Sequence, residues 1–442
     1  MKRSGCEYMN IYFETLGCPK NFNDTEVAEG ILENCGHHIV DNPYEADAIV
    51  VNTCGFINDA KIESIDKIFE MSSHDDKLLI VSGCLSQRYG DELFSEMPEV
   101  DLLIGVNQYE NLPEILQEYK PGNREKRISL YEKELKSDKR KLSHGTYSAT
   151  IKISEGCNNM CTYCVIPSIR GPYRSRSIGD IVTEASSLVK RGIKELILIG
   201  QDVTNYGIDI YGKYNLHELL EELVKIDDLV WIRLMYCYED RITDELIEVI
   251  NREEKICNYM DIPLQHISDN ILESMKRHST EKSIRTTLNK LREKIPDMRI
   301  RTTFIVGFPG ETEEDFDKLY NFVREYKFDR LGVFTYSQEE DTPAALMDNQ
   351  IDEKVKEHRK DAIMNLQMQI SNKKNRALIG KTLEVIVEEK DVNGAYIGRS
   401  RYDAPEIDNG VIIVTESDHE PGDIIEVKIY DAYDYDILGR EI

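Results

Sequence analysis

Three short apolar runs near the N-terminus end in the same way. Asn10–Leu16 (NIYFETL) leads into Gly17-Cys18, Ala48–Asn52 (AIVVN) into Thr53-Cys54-Gly55, and Leu78–Ser82 (LLIVS) into Gly83-Cys84. Apolar residues, many of them β-branched or aromatic, dominate each run, and amphipathic helical patterns lie between them. Residues 8–130 therefore read as an α/β domain built on an open parallel sheet. In such a sheet the C-terminal strand ends share one edge, and that edge is where ligands bind. The pattern predicts that Cys18, Cys54 and Cys84, far apart in sequence, meet in space.

A charged stretch without strand character, 131–146, reads as a linker. A second βα series then fills residues 147–375, with candidate strands Ala149–Ser154, Glu195–Ile199, Leu229–Tyr236, Tyr259–Pro263, Arg299–Val306 and Arg330–Phe334. One intervening helix opens at Thr312 with Asp315 as its capping partner and sets Phe316, Leu319, Val323 and Tyr326 on one face. Six βα units predict an incomplete (β/α)6 barrel whose active site lies at the C-terminal strand ends. Ile351, Val355, Ala362, Leu366 and Ile370 then keep near-helical spacing up to a stop at Gly380. The remainder, 376–442, switches to short alternating runs at Leu383–Val387, Ala395–Gly398, Val411–Val414 and Ile424–Ile429, which suggest a small antiparallel, OB-like β-barrel.

Composition narrows the function. The 442 residues carry 55 Lys and Arg against 82 Asp and Glu, a formal charge of −27. Such a surface repels phosphates, so no strong nucleic-acid binding is expected. No apolar run approaches the ~18 residues that span a bilayer. Met1–Asn10 has no apolar core of a secretory signal, so a cytoplasmic location and no membrane partner are expected. Ten cysteines in such a chain point to metal or redox chemistry before disulfides.

The sharpest signal is Cys157-x-x-x-Cys161-x-x-Cys164. Three thiolates within eight residues can wrap one face of a 4Fe–4S cluster and leave one iron without a protein ligand. A zinc site is the other reading, but no second cysteine pair or H-x₃₋₅-H follows downstream. An iron with a free position suits an amino-acid-like chelate, here the amino and carboxylate groups of S-adenosylmethionine. Cys18, Cys54 and Cys84 have packing as their alternative, since free cysteine is a common small buried hydrophobe. Three of them at strand ends favour ligation, whereas Cys6, Cys35, Cys237 and Cys257 read as packing residues.

Other features are open on the residues alone. Phe304–Glu311 (FIVGFPGE) ends a strand and enters a helix, and its glycines, Gly307 and Gly310, permit close backbone approach to a ligand such as an adenine. Gln201 and Asp202 follow the second strand, as contacts to a methionine moiety or as helix cap and solvent contacts. Arg170, Arg174 and Arg176 suit either a ligand carboxylate or salt bridges to acidic surface. His266 reads as a structural histidine, and Lys139–Lys141 as solvated linker.

GCNNMCTYC (156–164) followed by VIPSIRGPYRSR (165–176) resembles the radical S-adenosylmethionine superfamily, and within it the methylthiotransferases. LGCPKN around Cys18, NTCGF around Cys54 and GCLSQRY around Cys84 match that family too, as do IGQDVTNYG (199–207) and IPLQH (262–266). The C-terminal barrel resembles a TRAM domain, so the likeness covers essentially the whole chain. It implies two 4Fe–4S clusters, one on Cys157, Cys161 and Cys164 and an auxiliary one on Cys18, Cys54 and Cys84. It also implies S-adenosylmethionine as both radical source and methyl donor, held near Tyr163, Gln201, Asp202, Ile305, Gly307 and Gly310. In such enzymes a 5′-deoxyadenosyl radical removes hydrogen from an unactivated carbon, a bond that no general base breaks. The carbon then receives a methylated sulfur from the auxiliary cluster. A reductant such as flavodoxin or ferredoxin is implied as partner.

The family divides by substrate. GRSRYDAPEIDNG (398–410) and FTYSQEEDTPA (334–344) resemble the branch that modifies the β-carbon of one aspartate in the twelfth small-subunit ribosomal protein, free or in the subunit. The tail motif departs from that branch only at Asn409. Residues 381–442 hold six basic and sixteen acidic side chains, a charge of −10. An acidic module complements a basic ribosomal protein, whereas one meant to grip RNA is basic. A loop bearing Asp403, Glu406 and Asp408 is expected to recruit that protein; the alternative is a barrel that covers apolar surface on its neighbour. Transfer-RNA adenosine methylthiotransferase is the runner-up, and a non-catalytic metal-binding scaffold for ribosome assembly is the rival of another class.

Overall fold

The computed structural model describes residues 8–129, 140–142, 147–392 and 394–442. Cys6 and most of the expected linker lie outside these residues. The chain forms two compact units. The first comprises residues 1–143, 155–158 and 164–176, and the second residues 144–154, 159–163 and 177–442.

In the first unit six parallel strands are ordered β2-β1-β3-β4-β5-β6. They are β1 (Asn10–Thr15), β2 (His38–Ile39), β3 (Ala48–Thr53), β4 (Leu78–Gly83), β5 (Leu102–Ile104) and β6 (Glu125–Arg127). Sequence pattern marked β1, β3 and β4 but not the other three, which are two or three residues long, too short for an alternation to show. Ile11, Val50 and Ile80 pack on one face of the sheet and Ile49, Val51 and Val81 on the other. Every residue of β3 is buried, which is why it reads as an unbroken apolar run. Each such side chain contributes roughly 1.5–3 kcal/mol by burial. The order reverses between β1 and β3, so the chain's switch point falls among the strands that carry the cysteines.

Helix Pro19–Asn34 has little amphipathic pattern, because it buries polar side chains as well as Val27, Ala28 and Leu32. Asn21, Asn23, Asp24, Thr25, Glu26 and Glu29 are all buried. Lys139–Lys141, expected as solvated linker, is tied to this helix where it is described: Arg140 is buried and paired with Glu26, and Lys141 Nζ lies 2.9 Å from Glu33. Their carboxylate partners lie over a hundred residues upstream, invisible to a local reading. Cys35, expected to pack, is exposed just past the helix end, whereas Cys237 and Cys257 of the second unit are buried as expected.

The short strands β7 (Ser148–Lys152), β8 (Ser154–Glu155) and β9 (Arg174–Ser175) follow. In the second unit β7 pairs with β10 (Glu195–Ile199), and β11 (Trp231–Leu234), β12 (Ile256–Asp261), β13 (Arg299–Val306) and β14 (Arg330–Thr335) continue the sheet. All six run parallel in sequential order, the arrangement of an incomplete (β/α)6 barrel. Helix Glu313–Tyr326 begins at the expected capping box of Thr312 and Asp315. Helix Glu353–Arg376 ends before Gly380.

The C-terminal part is a closed barrel, ordered β15-β16-β17-β19-β18. Its strands are β15 (Thr382–Lys390), β16 (Tyr396–Ser400), β17 (Val411–Val414), β18 (Ile424–Ala432) and β19 (Ile437–Glu441); the last was not marked by pattern. The barrel packs on the sheet of its own unit: Ile386 and Ala404 join Ile197, Ile199, Trp231, Met235 and Tyr259 in one apolar cluster. Around it Glu195 Oε1 accepts from Arg233 Nε at 2.8 Å and from Arg399 Nη1 at 3.1 Å. Trp231 Nε1 donates to Glu384 Oε1 at 2.8 Å.

This contact corrects the expectation for the acidic loop. Asp403 is buried and takes both Arg330 Nε (2.7 Å) and Nη2, while Asp408 accepts from Tyr259 OH at 2.6 Å and pairs with Arg301. Of the three acids only Glu406 is exposed. Two of them dock the barrel, and a charge count along the sequence cannot separate docking acids from exposed ones.

Candidate metal centres

Within the first unit the three cysteine-bearing strand ends are neighbours in the sheet. Cys18 caps the helix after β1, Cys54 directly follows β3, and Cys84 opens the helix Cys84–Arg88 after β4. Two glycines make the approach close. A Cβ on Gly17 (φ +96°) would sit 2.7 Å from Cys54 Cβ, and one on Gly83 (φ +98°) would run into the Thr53 carbonyl. Only glycine accepts both the left-handed backbone and the contact.

Buried Asn21 fastens these ends together. Its Nδ2 donates to Leu16 O at 2.8 Å, two residues before Cys18, and to Thr53 O at 3.0 Å, directly before Cys54. Its Oδ1 lies 4.0 Å from Cys18 Sγ and 3.8 Å from Cys84 Sγ. Ser64 Oγ clamps Cys54 from both sides, accepting from its N–H at 3.0 Å and donating to its carbonyl at 2.9 Å. Asn52 Nδ2 donates to Asn21 O, and Tyr109 OH to Asn52 Oδ1, both at 2.9 Å. Buried polar groups so fully paired hold a unique arrangement.

Burial pushes the Cys84 thiol up to about 11, against the pull of the Arg170 guanidinium, and raises the Cys54 thiol as well. A bare thiolate is thus disfavoured at both positions, and a bound positive metal is what stabilises it. Among the described residues no three His, Cys, Asp or Glu side chains close on one point as a single-ion site does. A 4Fe–4S cubane sets its ligands further apart, and three soft thiol donors on one sheet edge fit it.

Cys157 and Cys161 are buried and Cys164 is half-buried. In the first unit Cys157 N donates to Gly171 O at 3.1 Å, and Ile166 N points at Cys164 Sγ at 3.4 Å. In the second unit Asn159 Nδ2 donates to Asp202 Oδ2 at 2.9 Å, Arg241 bonds both Asn159 and Asp202, and Thr162 N donates to Met275 O at 3.1 Å. Asp202 Oδ1 meanwhile caps the turn Val203–Asn205. The structure thus places Asp202 as a brace between strand end and cysteine loop, and Gln201 beside it is half-buried. Asn159 and Arg241, which complete the brace, were missed by sequence reasoning; nothing local marks Arg241.

Tyr163 and Ile305 come together on one apolar cluster with Phe308 and Tyr336. Gly307 has its N–H engaged, donating to Glu311 Oε2 at 2.7 Å, and Gly310 is exposed. Burial pushes the Glu311 carboxyl up to about 7 against the lowering effect of Arg359. His266 is buried, accepts Ser268 N–H at Nδ1 (3.0 Å), and has its pKa driven down to about 3 by burial. A neutral structural histidine fits that position.

Arg170, read as a ligand clamp or surface ion pair, is buried and serves its own unit. Nη1 lies 2.7 Å from Asp24 Oδ2 and 3.5 Å from Glu155 Oε2, while Nη2 donates to Asn21 Oδ1 at 2.9 Å and to Cys84 Sγ at 3.4 Å. Burial opposes its charge, but Cys84, Asp24 and Glu155 outweigh burial and hold its pKa well above the ordinary value.

A parallel βα sheet with a C-x-x-x-C-x-x-C loop entering its C-terminal edge defines the radical S-adenosylmethionine class. The chain matches the Radical SAM superfamily over residues 151–323, the uncharacterized protein family UPF0004 over 10–105 and the TRAM domain over 379–442. It is 49% identical over 436 residues to the ribosomal protein uS12 methylthiotransferase of Clostridioides difficile, covering 98% of each chain. The enzyme of the same name from Natranaerobius thermophilus is 48% identical over 442 residues, with 98% of this chain and 99% of that one covered. The chain belongs to the family of ribosomal protein uS12 methylthiotransferases. Its fold is similar to that of the radical S-adenosylmethionine methyltransferase TsrM from Kitasatospora setae, solved with cobalamin and a 4Fe–4S cluster bound (TM-score 0.57, 15% identity, 77% of this chain and 74% of that one covered).

Proposed function

We propose that this chain transfers a methylthio group to the β-carbon of an aspartate in ribosomal protein uS12, replacing hydrogen with S–CH3. The observation that carries the reading is full-length identity to enzymes of that name in a chain that holds both cysteine triplets. Cys157, Cys161 and Cys164 hold a cluster with one open iron, and Cys18, Cys54 and Cys84 an auxiliary one. When bound, these clusters and S-adenosylmethionine supply the radical and the sulfur. The protein's own residues hold and orient. Asp202, Asn159 and Arg241 fix the cysteine loop; Tyr163 and Ile305, which share an apolar cluster, and the Gly307–Gly310 turn pinned by Glu311 would hold the adenosyl part. Asn21 and Ser64 fix the auxiliary ligands.

The three regions expected from sequence act as separate parts in this reading: 8–130 for the auxiliary centre, 147–375 for radical chemistry and 376–442 for the substrate. Tyr430, Tyr433 and Tyr435 are 48, 55 and 44% exposed beside Asp431 and Asp434 on the C-terminal barrel. Tyrosine faces next to carboxylates suit Lys and Arg side chains of a basic protein. A small electron carrier supplies reducing electrons, and the location is cytoplasmic. Among the described residues no helix is long and apolar enough to cross a membrane. The test is anaerobic reconstitution, incubation with S-adenosylmethionine, a reductant and uS12, and peptide mass spectrometry. One methylthio group on one aspartate is expected; modified transfer RNA with unmodified uS12 overturns the reading.

A further inference from the structure

The strongest unassigned feature lies in the first unit, on the segment just after Cys164. Helix Ile166–Arg170 ends at Gly171, whose carbonyl accepts the Cys157 N–H. From that end Arg170, with its side chain only 3% exposed, extends its guanidinium to Cys84 Sγ. Val165 and Ile169 on the same segment pack against Cys84 itself. A residue six positions beyond one cysteine triplet thus donates to a thiol of the other.

We infer that Arg170 is a positioning residue of the Cys18/Cys54/Cys84 centre: its Nη2 donates a charge-assisted hydrogen bond to the Cys84 thiolate and thereby raises that centre's reduction potential. The inference rests on the proposed ligation by those three cysteines. Asn21 Oδ1 faces both Cys18 and Cys84 as an acceptor, so once the thiols are deprotonated it offers them no hydrogen bond. Arg170 is the guanidinium donor aimed at Cys84. Hydrogen bonds and positive charge at a ligand sulfur favour the reduced, more negative state of an iron–sulfur cluster. Asp24 and Glu155 balance the guanidinium and hold its fork in place. A planar fork serves Asp24, Glu155, Asn21 and Cys84 at once, which an ammonium does not.

The test compares wild type, Arg170→Lys, Arg170→Gln and Arg140→Gln, each reconstituted anaerobically as full-length holoenzyme and titrated by potentiometry followed by electron paramagnetic resonance. The signal absent from Cys18→Ala identifies the auxiliary cluster. Its midpoint is expected to move negative in both Arg170 variants while the other cluster's midpoint stays. Arg140→Gln breaks a buried ion pair to Glu26, on helix Pro19–Asn34 that also carries Asp24; it is expected to lower the melting temperature and move neither midpoint. Arg170→Lys keeps a charge beside Asp24, so it carries the titration where Arg170→Gln loses the cluster. An unchanged auxiliary midpoint in Arg170→Lys with both clusters present overturns the inference. A Cys18→Ala protein that retains all the iron and both signals of wild type overturns the ligation beneath it, before any Arg170 variant is read.

Discussion

At the scale of single residues, the auxiliary site depends on an amide more than its neighbours suggest. Asn21 Nδ2 satisfies the carbonyls of Leu16 and Thr53, which end two different strands. Asn21→Ala leaves both buried acceptors unpaired, at ~1–3 kcal/mol each. The expected outcome is a lower melting temperature together with loss of iron from the Cys18/Cys54/Cys84 centre, while the Cys157/Cys161/Cys164 centre stays loaded. Iron analysis of Asn21→Ala alone and in a Cys157/Cys161/Cys164→Ala background checks this, with about half the wild-type iron expected in the first and none in the second. Asn21→Asp keeps the shape but sets an oxygen in place of the donor against the two carbonyls and a negative charge beside two thiolates, and it is expected to lose the cluster too. Asn21 stands three residues past Cys18 in LGCPKN. Its type was readable, but its role needed the fold, since its partners Leu16 and Thr53 stand 37 residues apart.

At the scale of elements, the barrel contact is held by charges that no local pattern reveals. Glu195 opens β10 and sits with no exposure against Arg233 and Arg399. Burial pushes its carboxyl up, but the two guanidiniums outweigh burial and hold it at about 2, against an ordinary 4.5. The unfolded chain takes up a proton there more readily than the native one. The pair's stabilisation is therefore full above pH 4.5 and is lost as the pH falls through about 2. Trp231 is the chain's single tryptophan and lies in this contact, so its fluorescence reports docking directly. Its emission is expected to stay that of a buried indole from pH 7 to 5. Glu195→Gln takes the shared carboxylate from buried Arg233 and Arg399 and leaves Arg399 with Glu388 (2.9 Å); it is expected to cost about 3–5 kcal/mol, read as an earlier Trp231 transition in denaturant. The elements themselves were largely legible: Glu195–Ile199, Arg299–Val306 and Val411–Val414 have the boundaries that their apolar runs predict. What the runs could not carry was pairing across the molecule, as with Asp403 and Asp408, whose arginines lie on β13 and β14. Nor could they reveal strands as short as β2, β5 and β6.

At the scale of the whole molecule, substrate choice and sulfur transfer are separable. Docking acids are unavailable to a partner, so the proposed capture of a basic protein has to use exposed acids, among them Asp431 and Asp434 between the exposed tyrosines of residues 430–435. A Tyr433→Ala, Asp434→Asn, Tyr435→Ala variant is expected to raise KM for uS12 several-fold and flatten its salt dependence, since exposed charges are screened over ~8 Å at physiological ionic strength. Its cleavage of S-adenosylmethionine without substrate is expected to match wild type. The strand-end placement of Cys18, Cys54 and Cys84 was legible in sequence, and their strands are neighbours in the sheet; Cys157, Cys161 and Cys164 stand out by their spacing alone, whereas Arg170, Asn21 and Ser64 carry no such local signal. The central claim is that one triplet serves radical formation and the other supplies sulfur. Mass spectrometry of uS12 after turnover with wild type and with a Cys18/Cys54/Cys84→Ala variant, S-adenosylmethionine cleavage being followed in parallel, tests it most directly. The account predicts that the variant, with half the iron, still cleaves S-adenosylmethionine but leaves the aspartate without a methylthio group; methylthiolation by that variant at the wild-type rate would contradict it.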